Sequence, residues 1–117
     1  MNDVHITIET FDYRLRQMAD NILKDFDPFK SYYIFTANPG GIPVAYALRK
    51  FLPNSKLTSD IDKADIIVTH IVKNKKIFKY FDNLTSTPFY TVIDSTNNYD
   101  DFNYIFPWEN NNQNLNI

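Results

Sequence analysis

Cysteine is absent from the 117 residues. That excludes a disulfide scaffold, a thiolate metal site and a cysteine nucleophile, and it fits a reducing, cytoplasmic setting. Glycine is nearly absent as well, since Gly40 and Gly41 are the only two. No apolar run approaches the roughly 20 residues that span a bilayer. The opening Met1-Asn2-Asp3-Val4-His5 lacks the charged-then-apolar layout of a signal peptide. A soluble protein without a membrane partner is therefore expected. Neither sign of charge dominates, with 12 Lys+Arg against 14 Asp+Glu and a net charge of -2. That balance argues against binding nucleic acid through a bulk basic face.

What is present is apolar and aromatic. The hydrophobic fraction is 44%, normal for one globular domain of this length, and 16% of residues are aromatic. Ring packing must therefore supply much of the core. The abundance of Asn, Lys, Ile, Phe and Tyr points to an AT-rich coding genome.

Strand-like and helix-like periods alternate along the chain. Val4, Ile6 and Ile8 alternate with polar residues and predict a short half-exposed strand. Thr10 reads as an N-cap, followed by a helix over 10–25 with Phe11, Leu15, Met18, Ile22 and Leu23 on one face. Tyr32-Tyr33-Ile34-Phe35 suits a central strand buried on both faces. It runs into Thr36-Ala37-Asn38-Pro39-Gly40-Gly41 and then into a helix over 42–52, with Pro43 in the tolerant first turn and Pro53 as the stop. After a polar stretch, Ile66-Ile67-Val68 and Ile71-Val72 read as a second buried strand. A helix near 75–84, a strand over 89–93 and a last edge strand at Tyr104-Ile105-Phe106 follow. This is one α/β domain over residues 1–109, a parallel sheet with helices on both faces. The polar, Asn-rich stretch 110–117 is expected to be disordered.

In such sheets, ligands bind beyond the carboxyl ends of the strands, which selects two segments. The first holds Asn38, Gly40 and Gly41, where glycine permits positive φ and close approach to a ligand, and a helix start attracts phosphate. Its alternative is a tight turn with glycine for steric reasons. The second is Thr69-His70-Ile71-Val72-Lys73-Asn74-Lys75-Lys76, where Lys73, Lys75 and Lys76 at a helix start would attract phosphate. Its alternative is a solvated charge face. His70 is a candidate general base. Tyr104, Phe106 and Trp108 would either stack on a planar base or pack in the core. His5 and His70 lack carboxylates at a ligand spacing, so no metal site is expected.

The run Ile34-Phe35-Thr36-Ala37-Asn38-Pro39-Gly40-Gly41-Ile42-Pro43-Val44-Ala45-Tyr46-Ala47-Leu48 resembles the pyrophosphate loop and following helix of purine phosphoribosyltransferases. It is most similar to the bacterial xanthine-guanine type. The resemblance extends over residues 4–109, with Pro107-Trp108-Glu109 like the family's closing Pro-Trp-Asp. It implies a type I phosphoribosyltransferase fold, commonly dimeric, with Mg²⁺ required if the protein is active.

The family's most diagnostic motif departs. Thr69-His70 stands where an acidic pair would hold the ribose hydroxyls, and Lys73-Asn74-Lys75-Lys76 occupies the phosphate-cradling Asp-Thr-Gly positions. Each charged hydrogen bond contributes about 1.5–3 kcal/mol. Losing the pair therefore removes on the order of 10²–10⁴ in affinity. Pro39 stands where arginine is common, the stretch from Pro53 to Ile66 is too short for the family's long mobile lid, and no purine-recognising lysine follows Ile93.

The expected protein is a trimmed, catalytically inactive relative that binds a nucleotide-like or phosphorylated ligand at Asn38, Gly40, Gly41, Lys73, Asn74, Lys75 and Lys76, or a protein partner. An accessory or phage protein fits the composition. One alternative is an active purine transferase using phosphoribosyl pyrophosphate and Mg²⁺. There the glycines take pyrophosphate, His70 replaces a carboxylate and Lys73 or Lys75 stabilises departing charge. Another is a pure protein-interaction module.

Overall fold

The computed structural model describes residues 2–96 and 102–109. The Asn-rich stretch 110–117 lies outside the described residues, as does 97–101. The elements in chain order are β1 (Asn2–His5), α1 (Ile8–Ile22), β2 (Tyr32–Thr36), a 3₁₀ turn (Pro39–Gly41), α2 (Ile42–Leu48) and β3 (Ser55–Leu57). A second 3₁₀ turn (Ile61–Lys63), β4 (Ile66–Val72), α3 (Lys76–Leu84), β5 (Phe89–Asp94) and β6 (Phe102–Ile105) follow.

Four strands form a parallel sheet in the order β3-β2-β4-β5. β4 is its buried spine: Ile66, Ile67, Val68 and Thr69 are at most 1% exposed. Their side chains alternate between the two faces. On one face, Ile34, Ile66, Val68 and Val92 share a core with Phe11, Leu15, Met18 and Ile22 of α1, Val44, Ala45 and Leu48 of α2, and Phe106. Fully burying each Leu, Ile or Phe there contributes about 1.5–3 kcal/mol. On the other face α3 sets Phe81 against Phe35 and Phe89, and Phe78 against Phe89.

The structure shifts several expected boundaries. Thr7, not Thr10, caps α1: its Oγ1 accepts the Thr10 N–H at 3.1 Å. The helix therefore begins at Ile8, which belongs to no strand. β2 is central but not buried on both faces, because Tyr33 is 44% exposed. β3 was hidden in the polar stretch before Ile66. It holds its place by pairing with β2, Tyr32 opposite Ser55 and Ile34 opposite Leu57. The last strand is no edge of the main sheet. β6 pairs with β1 in a separate parallel ribbon, Asn2 opposite Phe102 and His5 opposite Ile105.

Candidate functional site

From β2 the chain crosses to β3 on one side, and from β4 it crosses to β5 on the other. The adjacent carboxyl ends of β2 and β4 are therefore the topological switch point, where diverging connections leave a crevice. A cleft of about 310 Å³ lies there, lined by Ala37 and Asn38 after β2, Thr69, Ile71 and Val72 on β4, and Lys73, Asn74 and Ile77 leading into α3. The Ala37 N–H donates to the Val68 carbonyl at 2.9 Å and ties the two walls together.

The cleft combines the Lys73 amine with a buried hydroxyl. Thr69 is 1% exposed, and its Oγ1 has no hydrogen-bond partner. A buried hydroxyl without a partner costs about 1–3 kcal/mol, which a ligand acceptor would relieve. Lys75 and Lys76 are exposed and form no ion pair among the described residues. Lys73 reaches back, its Nζ 3.5 Å from the Phe102 carbonyl, at the outer limit of a hydrogen bond.

Asn74 and Asn38 serve as caps. Asn74 Oδ1 accepts the Lys76 N–H at 2.9 Å and its carbonyl accepts that of Ile77. Two donors at the start of α3 are thus already satisfied, and the attraction for an anion there is carried by the amines. Asn38 Oδ1 accepts the Gly41 N–H at 3.2 Å, as does its carbonyl at 3.0 Å.

Gly40 and Gly41 do not line this cleft. Neither has a positive φ. Both sit in close packing, as the steric alternative raised by the sequence describes. A β-carbon on Gly40 would overlap the His70 imidazole, and one on Gly41 would lie 3.0 Å from the Val68 carbonyl and 3.2 Å from Thr36 Cβ.

His70 occupies the opposite face of β4 from Thr69, because neighbours on a strand alternate. Its ring lies 4.9 Å from that of Phe106 and 6.3 Å from that of Trp108. Burial lowers its pKa from the ordinary 6.5, the Glu109 carboxylate opposes that effect and Lys73 adds to it. Its buried Nδ1 has no partner.

Of the three candidate stacking rings, Phe106 is 0% exposed and belongs to the core, stacked on Trp108 at 4.9 Å and edge-on to Phe11 at 6.5 Å. The ring is fully enclosed by protein, which leaves it no open surface for base stacking. Trp108 also meets Phe11 edge-on at 5.3 Å, and Tyr104 packs against the core from β6.

Thus Asn38, Lys73 and Asn74 converge on one cleft, Lys75 and Lys76 begin α3 just after it in sequence, and His70, Phe106, Trp108 and Gly40 form a separate packed cluster. Thr69 was missed as a site residue because it sits within an apolar run. The available signal was a lone hydroxyl at a buried strand's carboxyl end.

The sequence matches no protein-family profile and no curated protein. Solved structures do match. A xanthine-guanine-hypoxanthine phosphoribosyltransferase from Helicobacter pylori aligns with a TM-score of 0.62 at 15% identity, covering 98% of this chain and 99% of that one. A hypothetical protein from Neisseria gonorrhoeae with bound ppGpp aligns with a TM-score of 0.59 at 11% identity, covering 97% and 95%. The fold is phosphoribosyltransferase-like. No described helix is long and apolar enough to cross a membrane.

Proposed function

We propose that this protein binds a phosphorylated, nucleotide-like ligand in the crevice between β2 and β4 and does not transfer phosphoribosyl groups. The observation that carries the reading is the buried, unpartnered Thr69 hydroxyl lining a cleft that Lys73 also lines, with Lys75 and Lys76 following in sequence at the start of α3. Lys73, Lys75 and Lys76 would hold phosphate oxygens, Thr69 Oγ1 would donate to one, and the Asn38 and Asn74 amides flank them. A lysine within about 4 Å of a phosphate charge contributes about 1 kcal/mol in water and about 4 kcal/mol at a partly desolvated surface. A few such contacts supply micromolar-to-millimolar affinity. The ppGpp held by the gonococcal neighbour supports a nucleotide as the ligand class.

Loss of transfer follows from what lines the cleft. Among the described residues no carboxylate does, so none of them accepts hydrogen bonds from a ribose diol as a charged group would. Mg²⁺ prefers oxygen ligands including a carboxylate, and lysines facing a threonine hydroxyl do not fit it. A cytoplasmic, accessory or phage-encoded binding protein belongs to the same reading, supported by the cysteine-free, AT-rich composition.

The test is calorimetric and thermal titration with ppGpp, GDP and pyrophosphate. A ligand at 100 times its Kd adds about 2.7 kcal/mol of stability. A rise of several degrees in Tm is expected, and it should vanish in the Lys75→Glu, Lys76→Glu variant. Glutamates suit a helix start, so that variant should remain folded. No shift with any of the three ligands would overturn the binding reading and leave a protein-interaction module. Pyrophosphate release from phosphoribosyl pyrophosphate with Mg²⁺ and guanine, xanthine or hypoxanthine would overturn the inactive one.

A further inference from the structure

A second cluster of uncommitted polar groups lies away from the crevice, between α2 and the edge strand β3. Two clefts, of about 220 and 370 Å³, adjoin there, and both are lined by Arg49, Ser55 and Lys56. None of these residues lines the β2/β4 crevice. Ser55 opens β3, at the end of the strand opposite to the one where that crevice lies.

Three observations converge on this cluster. Ser55 is 1% exposed and its Oγ has no hydrogen-bond partner, although its backbone N–H donates to the Leu52 carbonyl at 3.0 Å. Arg49 and Lys56 are exposed and carry no ion pair among the described residues. Nor is the Arg49 guanidinium needed to cap α2. The carbonyls of Tyr46, Ala47 and Leu48 already accept backbone N–H groups from Arg49, Lys50, Phe51 and Leu52. The neighbouring Asn54 amide is tied to the Phe29 carbonyl at 3.2 Å. Two cations without an ion pair thus flank a buried hydroxyl donor in clefts that, among the described residues, no carboxylate lines.

We propose that Arg49, Ser55 and Lys56 form a second anion site that takes a tetrahedral phosphate group. Ser55 Oγ–H donates to one oxygen. Arg49 presents a planar fork to two others, and Lys56 adds a point charge from the strand edge. The smaller cleft is below the usual size for a whole drug-sized ligand, which suits a headgroup. Its apolar wall of Ile34, Ala45 and Tyr46 would receive the organic part of a phosphate ester. The phosphate is either free inorganic phosphate or the terminal group of a small phosphorylated metabolite.

The experiment is a titration of amide resonances of the full chain with inorganic phosphate, in the Lys75→Glu, Lys76→Glu background so that the crevice is silenced. Saturable shifts of Arg49, Ser55 and Lys56 are expected, lost in Arg49→Gln and weakened about tenfold, or 1.4 kcal/mol, in Ser55→Ala. Because the hydroxyl is unpartnered in the free protein, Ser55→Ala should also melt at an equal or higher temperature. Ribose 5-phosphate as a second arm separates the sources: tighter binding than phosphate indicates an ester, and equal or weaker binding indicates the free ion. The proposal is overturned if phosphate moves none of the three resonances, if the shifts survive Arg49→Gln, or if Ser55→Ala destabilises the fold. None of these outcomes bears on the β2/β4 crevice.

Discussion

Gly40 abuts the imidazole of His70 so closely that a β-carbon on the glycine would overlap its Cε1. The two residues come from the loop after β2 and from β4, and their contact fixes that loop against the sheet. Gly40→Ala is expected to cost about 1–3 kcal/mol through overpacking. In a His70→Ala background the same change should cost far less, because the space has been vacated. A double-mutant cycle from thermal melts measures the coupling, and additive costs would show that the glycine serves something else.

Thr69→Val replaces a hydroxyl without a partner by a methyl of similar shape. Its expected effect on the unliganded protein is a gain of about 1 kcal/mol, since a desolvated orphan is removed. Nucleotide affinity should fall in the same variant. Opposite movement of stability and binding is the signature of a hydroxyl kept for a ligand. A variant that loses stability would place an internal partner on Thr69.

Burial holds the His70 pKa below the ordinary 6.5. The unfolded chain therefore binds this proton at a higher pH than the folded one does, and stability rises with pH across the interval between the two pKa values. The contribution is complete above pH 6.5 and is lost as pH falls through the folded-state pKa. Denaturant melts between pH 7.5 and 5 should show this slope, and His70→Gln should flatten it. Trp108, the chain's single tryptophan, lies 6.3 Å from the His70 ring and gives a fluorescence titration of the folded state, with its midpoint expected below 6.5.

Phe106→Ala should be the most damaging of these changes, at about 3–5 kcal/mol, because the ring is fully buried among Phe11, His70 and Trp108. For a chain of this size that corresponds to a fall in Tm of about 12–20 °C. A fall below about 5 °C would mean that the core closes without this ring.

The elements legible in the sequence were those whose apolar pattern reports burial. α1 and α2 were visible because the Phe11–Ile22 stripe and Val44, Ala45 and Leu48 face one core, and β4 because Ile66, Ile67 and Val68 are all fully buried. β3 was not, because Lys56 and Leu57 are exposed at a sheet edge and the strand is held by backbone pairing, which leaves no side-chain pattern. The cap of α1 was misplaced because Thr7 and Thr10 are chemically alike and their hydroxyls bond each other at 3.0 Å. At the site, charge was legible and direction was not. The lysines drew attention to the loop after β4, but only coordinates separate Thr69, which lines the cleft, from His70, which faces the aromatic cluster.

The parallel pairing of β1 with β6 also bears on biogenesis. Asn103 donates to Asp3 across 100 positions of sequence, at 3.2 Å. At about 5–20 residues per second, a ribosome needs roughly 5–20 s to make the intervening chain. Throughout that interval the nascent first strand has no mate, and the space that Phe106 will fill stands open. This fold can therefore finish collapsing only once β6 and Phe106 have been translated, and the interval before that is when holding factors or proteases have their best access to β1.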